Sequence, residues 1–319
     1  MDHELRNKLW AIGGGKGGVG KSIVTVMLGT LLARRGKKII IVDADLGGSN
    51  LHTLVGIRYP LYTLADFINR RVDSMNDVLM TTPVDNMKII CGADDVLGMA
   101  NPKSTQKTKI FNNLKKLEAD LILLDLGAGT SFATVDFFLY AINKLVVLSP
   151  QITSIQNAYG FIKASLLRLL KRTFKKEPQC LELINGLVSP DGDGSHGTVT
   201  KLKEAFAALG EGYLDMLNNC IEELRIGLIV NMVRGSNERD VGRIVQTVAN
   251  NYLGIEPEYL GHVNYDKVLG MSVNNLKDYL VTAHQNMAGE GFYDISTKIL
   301  KRVHETAPME AAPAGGQSG

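Results

Sequence analysis

Residues 9–22 read Leu-Trp-Ala-Ile-Gly-Gly-Gly-Lys-Gly-Gly-Val-Gly-Lys-Ser. The apolar run 9–12 has the length of a buried strand, and the stretch 22–35 beyond the glycines repeats with helical period. Between them, Gly15 to Ser22 fits the spacing GxxxxGK[ST] of a phosphate-binding loop in its strand–loop–helix setting. The chemistry needs this pattern. Without Cβ atoms in the way, the backbone N–H groups of Gly15, Gly17, Gly18, Val19 and Gly20 can wrap a phosphate. Lys21 supplies charge to the β- and γ-phosphates, the Ser22 hydroxyl binds Mg²⁺, and the following helix adds its positive end. The same glycines also satisfy GxGxxG, with Asp43 about twenty residues on, as in dinucleotide-binding turns. Lys21-Ser22 directly after the last glycine would have no task in such a turn, so the loop reads as a nucleoside-triphosphate site.

Working outward, further strand-length apolar runs lie at 39–42, 88–91, 121–124, 145–148 and 225–230. Most are separated by amphipathic segments at 104–118, 132–142, 153–173 and 237–252. Near-continuous apolar strands alternating with helices predict an α/β protein: a doubly wound, mostly parallel sheet with helices on both faces. In such sheets ligands bind beyond the carboxyl ends of the strands. Three strand ends carry polar side chains suited to that place. Run 39–42 leads into Asp43-Ala-Asp45, two acids that can serve a magnesium ion and a water. Run 121–124 ends in Asp125-Leu-Gly-Ala-Gly, the pattern of a metal-holding Walker B acid. Run 225–230 ends in Asn231, read either as a turn residue or as a carboxamide for the edge of adenine.

The chain has 319 residues, 45% apolar and 21% charged, which suits a globular protein with a full core. Its 35 Lys plus Arg against 33 Asp plus Glu leave a net charge of +2, which excludes a globally basic nucleic-acid coat. Cys91, Cys180 and Cys220 lie far apart with no CxxC, as expected for inert thiols in the cytoplasm. The N-terminal residues lack the apolar core of a signal peptide, and every apolar run falls far short of the ~20 residues of a membrane span. The organisation expected is one domain over 1–306 with a helical insertion at about 174–224, then a disordered Ala/Pro/Gly-rich tail at 307–319. Within the insertion lies a Gly-Asp turn at 190–197, whose spacing does not fit a calcium loop. A long helical pattern follows at 199–224.

Lys16 is a second lysine inside the loop, an arrangement that costs repulsion with Lys21 unless an anion offsets it. The string KGGVGKS resembles the deviant Walker A motif of the MinD/ParA family of P-loop ATPases. The segments DADLGGSNLHTLVGI from Asp43, DLGAGT from Asp125, SPQITSIQNAYGFIK from Ser149 and YDKVLGMSV from Tyr265 are similar to its FlhG/MinD-like branch. The likeness covers roughly 8–173 and 225–280. It implies ATP and Mg²⁺ as cofactors, with Lys16, Lys21 and Asp45 catalytic. Lys16 would reach the nucleotide of a partner subunit, and Asp45 would orient the attacking water. Ser22 and Asp125 would serve the metal, Asp43 the metal or the Lys21 network, and Asn231 the adenine. The family's activity is slow ATP hydrolysis by a homodimer that forms on ATP binding, acting through a further protein partner in spatial or numerical control of a flagellum or division site. The alternatives are an ATP-dependent enzyme activating a carboxylate, with its substrate pocket in 174–224, and an ATP-gated, non-specific DNA-binding partition ATPase.

Two surfaces are open to more than one reading. Lys163, Arg168, Lys171, Arg172, Lys175 and Lys176 form an acid-free run, either a solvated helix face or a patch for DNA phosphates. Phe292, Ile295, Ile299 and Val303 follow helical spacing with Lys298, Lys301 and Arg302 nearby. That stretch, 292–303, is either a core-packing helix or an amphipathic membrane contact that would place the protein at the inner face of the membrane.

Overall fold

Alternate residues of the central strand enter different hydrophobic layers. In a computed structural model, which describes residues 7–45, 48, 50–92, 102–186, 199–271 and 287–306, strand β1 (Leu9–Gly13) sends Leu9 and Ala11 to one core and Trp10 and Ile12 to the other. The neighbouring strands β2 (Ile39–Ala44), β5 (Leu121–Leu126) and β6 (Asn143–Leu148) divide their side chains in the same way. This two-sided burial is what near-continuous apolar runs require.

Among the described residues, eight strands form one sheet in the order β3-β4-β2-β5-β1-β6-β7-β8. Here β3 is Leu79–Thr81, β4 Met87–Ile90, β7 Ile226–Val233 and β8 Glu258–Asn264. The short edge strand β3 runs antiparallel to β4, and every other pairing is parallel. The fold is therefore the doubly wound α/β arrangement expected. Sequence reading passed over both edge strands. Strand β3 has only three half-buried or exposed residues, and β8 mixes polar residues and a glycine along a partly exposed edge.

The helices in chain order are α1 (Lys21–Arg34), α2 (Leu51–Leu54), α3 (Leu64–Ile68), α4 (Ser104–Leu114), α5 (Phe132–Tyr140) and α6 (Ile152–Thr173). They continue as α7 (Pro178–Gly186), α8 (Val199–Leu209), α9 (Glu211–Glu223), α10 (Val241–Leu253), α11 (Lys267–Met271) and α12 (Met287–Thr306). Helix α1 covers one face together with α12; α4, α5, α6 and α10 cover the other. The helical pattern over 199–224 is broken at Gly210 (φ 141°) into α8 and α9. Cys180, Ile184, Phe206 and Leu217 join the core beneath α6, where Phe174 and Phe206 meet edge to face at 5.1 Å. The 190–197 turn and the 307–319 tail lie outside the described residues.

Of the two readings of 292–303, the structure shows the core-packing helix. Phe292, Ile295 and Ile299 are fully buried in the core shared with α1. Lys298 Nζ donates to the Leu260 carbonyl at 2.7 Å, and Arg302 pairs with Glu258, both on β8. The apolar stripe of 292–303 is committed to the sheet, so it cannot be the face of a membrane contact without unpacking α12. Replacing Phe292 by Ala should cost about 3–5 kcal/mol of unfolding free energy. Chemical denaturation checks this, and an unchanged midpoint would contradict the packing of α12.

Candidate functional site

The loops that leave the carboxyl ends of β1, β2, β5 and β7 gather the polar residues. Helix α1 begins with Gly20 as its N-cap in left-handed geometry (φ 86°), without a side-chain cap and without an acid in its first turn. Its leading N–H groups are thus left for an anion. A side chain at Gly20 is excluded twice, by that φ and because a Cβ would stand 2.3 Å from Asn231 Nδ2. At Gly15 the reason is approach, since a Cβ there would lie 1.8 Å from the Asn157 carbonyl of α6. Gly17 and Gly18 are exposed at the loop's tip, whereas Val19 is buried.

Lys21 opens α1 and is only 9% exposed. Burial pulls its pKa below the usual lysine value, against the opposing pull of Asp125 and then Asp45. Asp125, at the end of β5, is buried beside Asp43, its register partner on β2. Burial, and next the charge of Asp43, push the Asp125 carboxyl up to about 7, although the Ser22 hydroxyl, Lys21 and Thr25 draw it down. The residues fit a phosphate and a magnesium ion: each would restore the charged form of a group that burial drives towards neutrality.

The two acids after β2 take different places. Asp43 is buried and accepts from the backbone N–H of Asp45 (3.1 Å) and from that of Leu51 (2.9 Å) at the start of α2. Asp45 is half-buried, with Oδ1 2.9 Å from where a Gly127 Cβ would stand, so it faces the loop that follows Asp125. Asn231 is buried at the end of β7, and its Nδ2 donates to the Val19 carbonyl at 2.9 Å. It therefore ties β7 to the phosphate loop. Met232 beside it takes φ 65°, where the β7–β8 register shifts.

Lys16 is held by α6. Its Nζ donates to Thr153 Oγ1 (2.8 Å) and Gln151 Oε1 (3.3 Å) at the start of α6. Sequence reasoning missed those two residues, and also Thr25, whose hydroxyl lies within hydrogen-bonding distance of Asp125 Oδ1 (3.2 Å) and the Lys21 carbonyl (3.0 Å). Thr25 could have been found from its place one helical turn beyond Lys21; nothing in the spacing marks Gln151 or Thr153. In the basic run, Arg168 is taken up by Asp136 at 2.8 and 3.0 Å, which leaves Lys171, Arg172, Lys175 and Lys176 exposed.

A mostly parallel sheet with a glycine loop before a buried lysine, and carboxylates on the neighbouring β5 and on β2 beyond it, defines a P-loop nucleotide-binding protein. Residues 10–278 match the CobQ/CobB/MinD/ParA nucleotide binding domain. The chain is 35% identical over 308 residues to the antiactivator FleN of Pseudomonas aeruginosa, covering 96% of this chain and 89% of that protein. To the septum site-determining protein MinD of Helicobacter pylori it is 29% identical over 161 residues, 49% of this chain and 59% of that one. Cell division ATPase MinD of Pyrococcus furiosus has the same fold, with a TM-score of 0.62 at 21% identity over 92% of this chain and 99% of that one. MinD of Pyrococcus horikoshii, solved with Mg-ADP, gives 0.63 at 20% identity over 95% and 99%. The chain belongs to the MinD/ParA family of P-loop ATPases. Membership brings the family's cofactors, ATP and Mg²⁺, and the loop, hydroxyl and carboxylate described above fit both.

The raised Asp125 carboxyl has a signature in metal-free protein. Because its folded pKa lies above its unfolded one, its contribution to stability is whole below about 3.8 and is lost as pH rises through about 7. Asp125→Asn cannot ionise, so the variant should gain in melting temperature relative to the parent as pH rises across that window. Parallel pH profiles for the two proteins would contradict the raised carboxyl.

Proposed function

We propose that the chain is an ATP-dependent dimerisation switch that hydrolyses its nucleotide slowly and thereby controls the number or position of a cell structure, the flagellum before the division site. The observation that carries this is the placement of Lys16: a second loop lysine, whose ammonium is held at the start of α6 by Gln151 and Thr153, beside the exposed Ile152. Phe132 (67% exposed) and Ile152 (74% exposed), at the first turns of α5 and α6, add apolar area to the same end of the sheet. Large exposed apolar side chains suit a face that another protein covers.

In this reading Lys21 and the N–H groups of 15–21 hold the phosphates, while Ser22 and Asp125 serve the metal, with Thr25 and Asp43 fixing the geometry around Asp125. Bound Mg²⁺ offsets charge on the β- and γ-phosphates. Asp45 orients the attacking water, Asn231 contacts the adenine, and Lys16 of each subunit stabilises charge at the partner's nucleotide. Hydrolysis then removes what holds the two copies together. The antiactivator relative is the basis for expecting a protein target whose activity the switch restrains. The three buried thiols suit a cytoplasmic site of action. Among the described residues, no helix is long and apolar enough to cross a membrane.

Asp45→Ala is the discriminating variant. It should keep ATP affinity, lose about 10²-fold or more in turnover, and accumulate as a dimer in size-exclusion chromatography with ATP·Mg²⁺. A variant that stays monomeric at saturating ATP would remove the support for a switch.

A further inference from the structure

The hold on Lys16 within its own subunit is of a kind that an anion can break. Gln151 is the N-cap residue of α6 and Thr153 lies in its first turn. The loop is pressed onto this end of the helix at Gly15, against the Asn157 carbonyl, and Asn157 Nδ2 in turn donates to the Thr153 carbonyl at 2.6 Å. The place where the Lys16 ammonium rests is thus framed by backbone packing as well as by its two hydrogen bonds.

Both acceptors are neutral, and the first turn of α6 contains no acid. A helix N-terminus carries a positive partial charge, so an ammonium there sits at the unfavourable pole of a 22-residue helix. A carboxylate at either position would have made the hold charge-assisted and roughly twice as strong. Two neutral hydrogen bonds set against an adverse dipole order the side chain, yet yield to a polyphosphate. Ile152, between the two acceptors, is exposed, so a second copy covering it arrives beside the resting lysine.

We propose that Gln151 and Thr153 form an intrasubunit seat for Lys16, which competes with the partner's nucleotide and sets the protein and ATP concentrations at which dimers form. This rests on the reading that Lys16 acts across the dimer. Gln151 and Thr153 are positioning residues here: they act only through Lys16. Each dimer must vacate two seats, so the cost of one seat enters the dimer constant squared. Losing one exposed hydrogen bond changes an equilibrium about 2- to 5-fold, which becomes about 4- to 25-fold for the pair.

The test measures the dimer dissociation constant of the full chain with saturating ATP·Mg²⁺ by analytical ultracentrifugation. Thr153→Val keeps the branched shape but removes the acceptor, and it should tighten the dimer by about 4- to 25-fold. Gln151→Glu charges the seat and should loosen the dimer, an effect that vanishes in a Lys16→Ala background. Nucleotide affinity of the dilute monomer should be the same for parent and Thr153→Val. An unchanged or loosened dimer in Thr153→Val, with Lys16→Ala still weakening the parent, overturns the seat and leaves the trans role of Lys16 standing. If the parent fails to dimerise, or Lys16→Ala dimerises as well as the parent, the trans role itself fails and the seat with it.

Discussion

A lysine and an aspartate that burial drives towards neutrality, side by side, are the constraint on which the rest of this molecule turns. Taken out of water, Lys21 is drawn towards losing its proton and Asp125 towards keeping one, and their mutual attraction does not outweigh that cost. Packing alone would be better served by apolar residues at both places. The pair makes sense as the two halves of a site for an anion and a cation. Around it, the fold supplies what such a site lacks: an uncapped helix end at Gly20, a hydroxyl at Ser22, and Thr25 bridging the base of α1 to Asp125.

The sheet exists in this form because those groups must converge. Strand β1 lies between β5 and β6, with β2 beyond β5, so the phosphate loop opens beside the strand of Asp125, and that of Asp43 comes next. Two-sided burial keeps the strands from shifting in register, since a slip of one residue would exchange every side chain between the two cores. Asn231 fastens β7 to Val19, so the loop is braced from one side by a strand and from the other by α6 at Gly15. Helices α7, α8 and α9 do not stand apart from this frame, because their buried residues join the core under α6.

Much of this was readable from sequence because the signals are local. Strand-length apolar runs, glycines before Lys21-Ser22, and acids closing two runs are each defined within a few residues. What escaped reading depends on partners distant in the chain. Strand β8 is recognisable only beside β7 and α12, since its own residues alternate too weakly to reveal an edge strand. The stripe of α12 reads equally as a membrane face until the sheet is there to receive Phe292. Gln151 and Thr153 are ordinary polar residues at a helix start, and only the bend of the loop brings Lys16 to them across more than a hundred positions. Asn231 was noticed for its place at a strand end, whereas its bond to Val19 needed the folded loop.

Nucleotide-dependent association is the claim on which the account stands. Multi-angle light scattering of the unmodified chain, with Mg²⁺ and either ATP or ADP, tests it most directly. The expected result is the mass of two copies with ATP and of one copy with ADP. A single-copy mass with both nucleotides, at concentrations where ATP is bound, would contradict it.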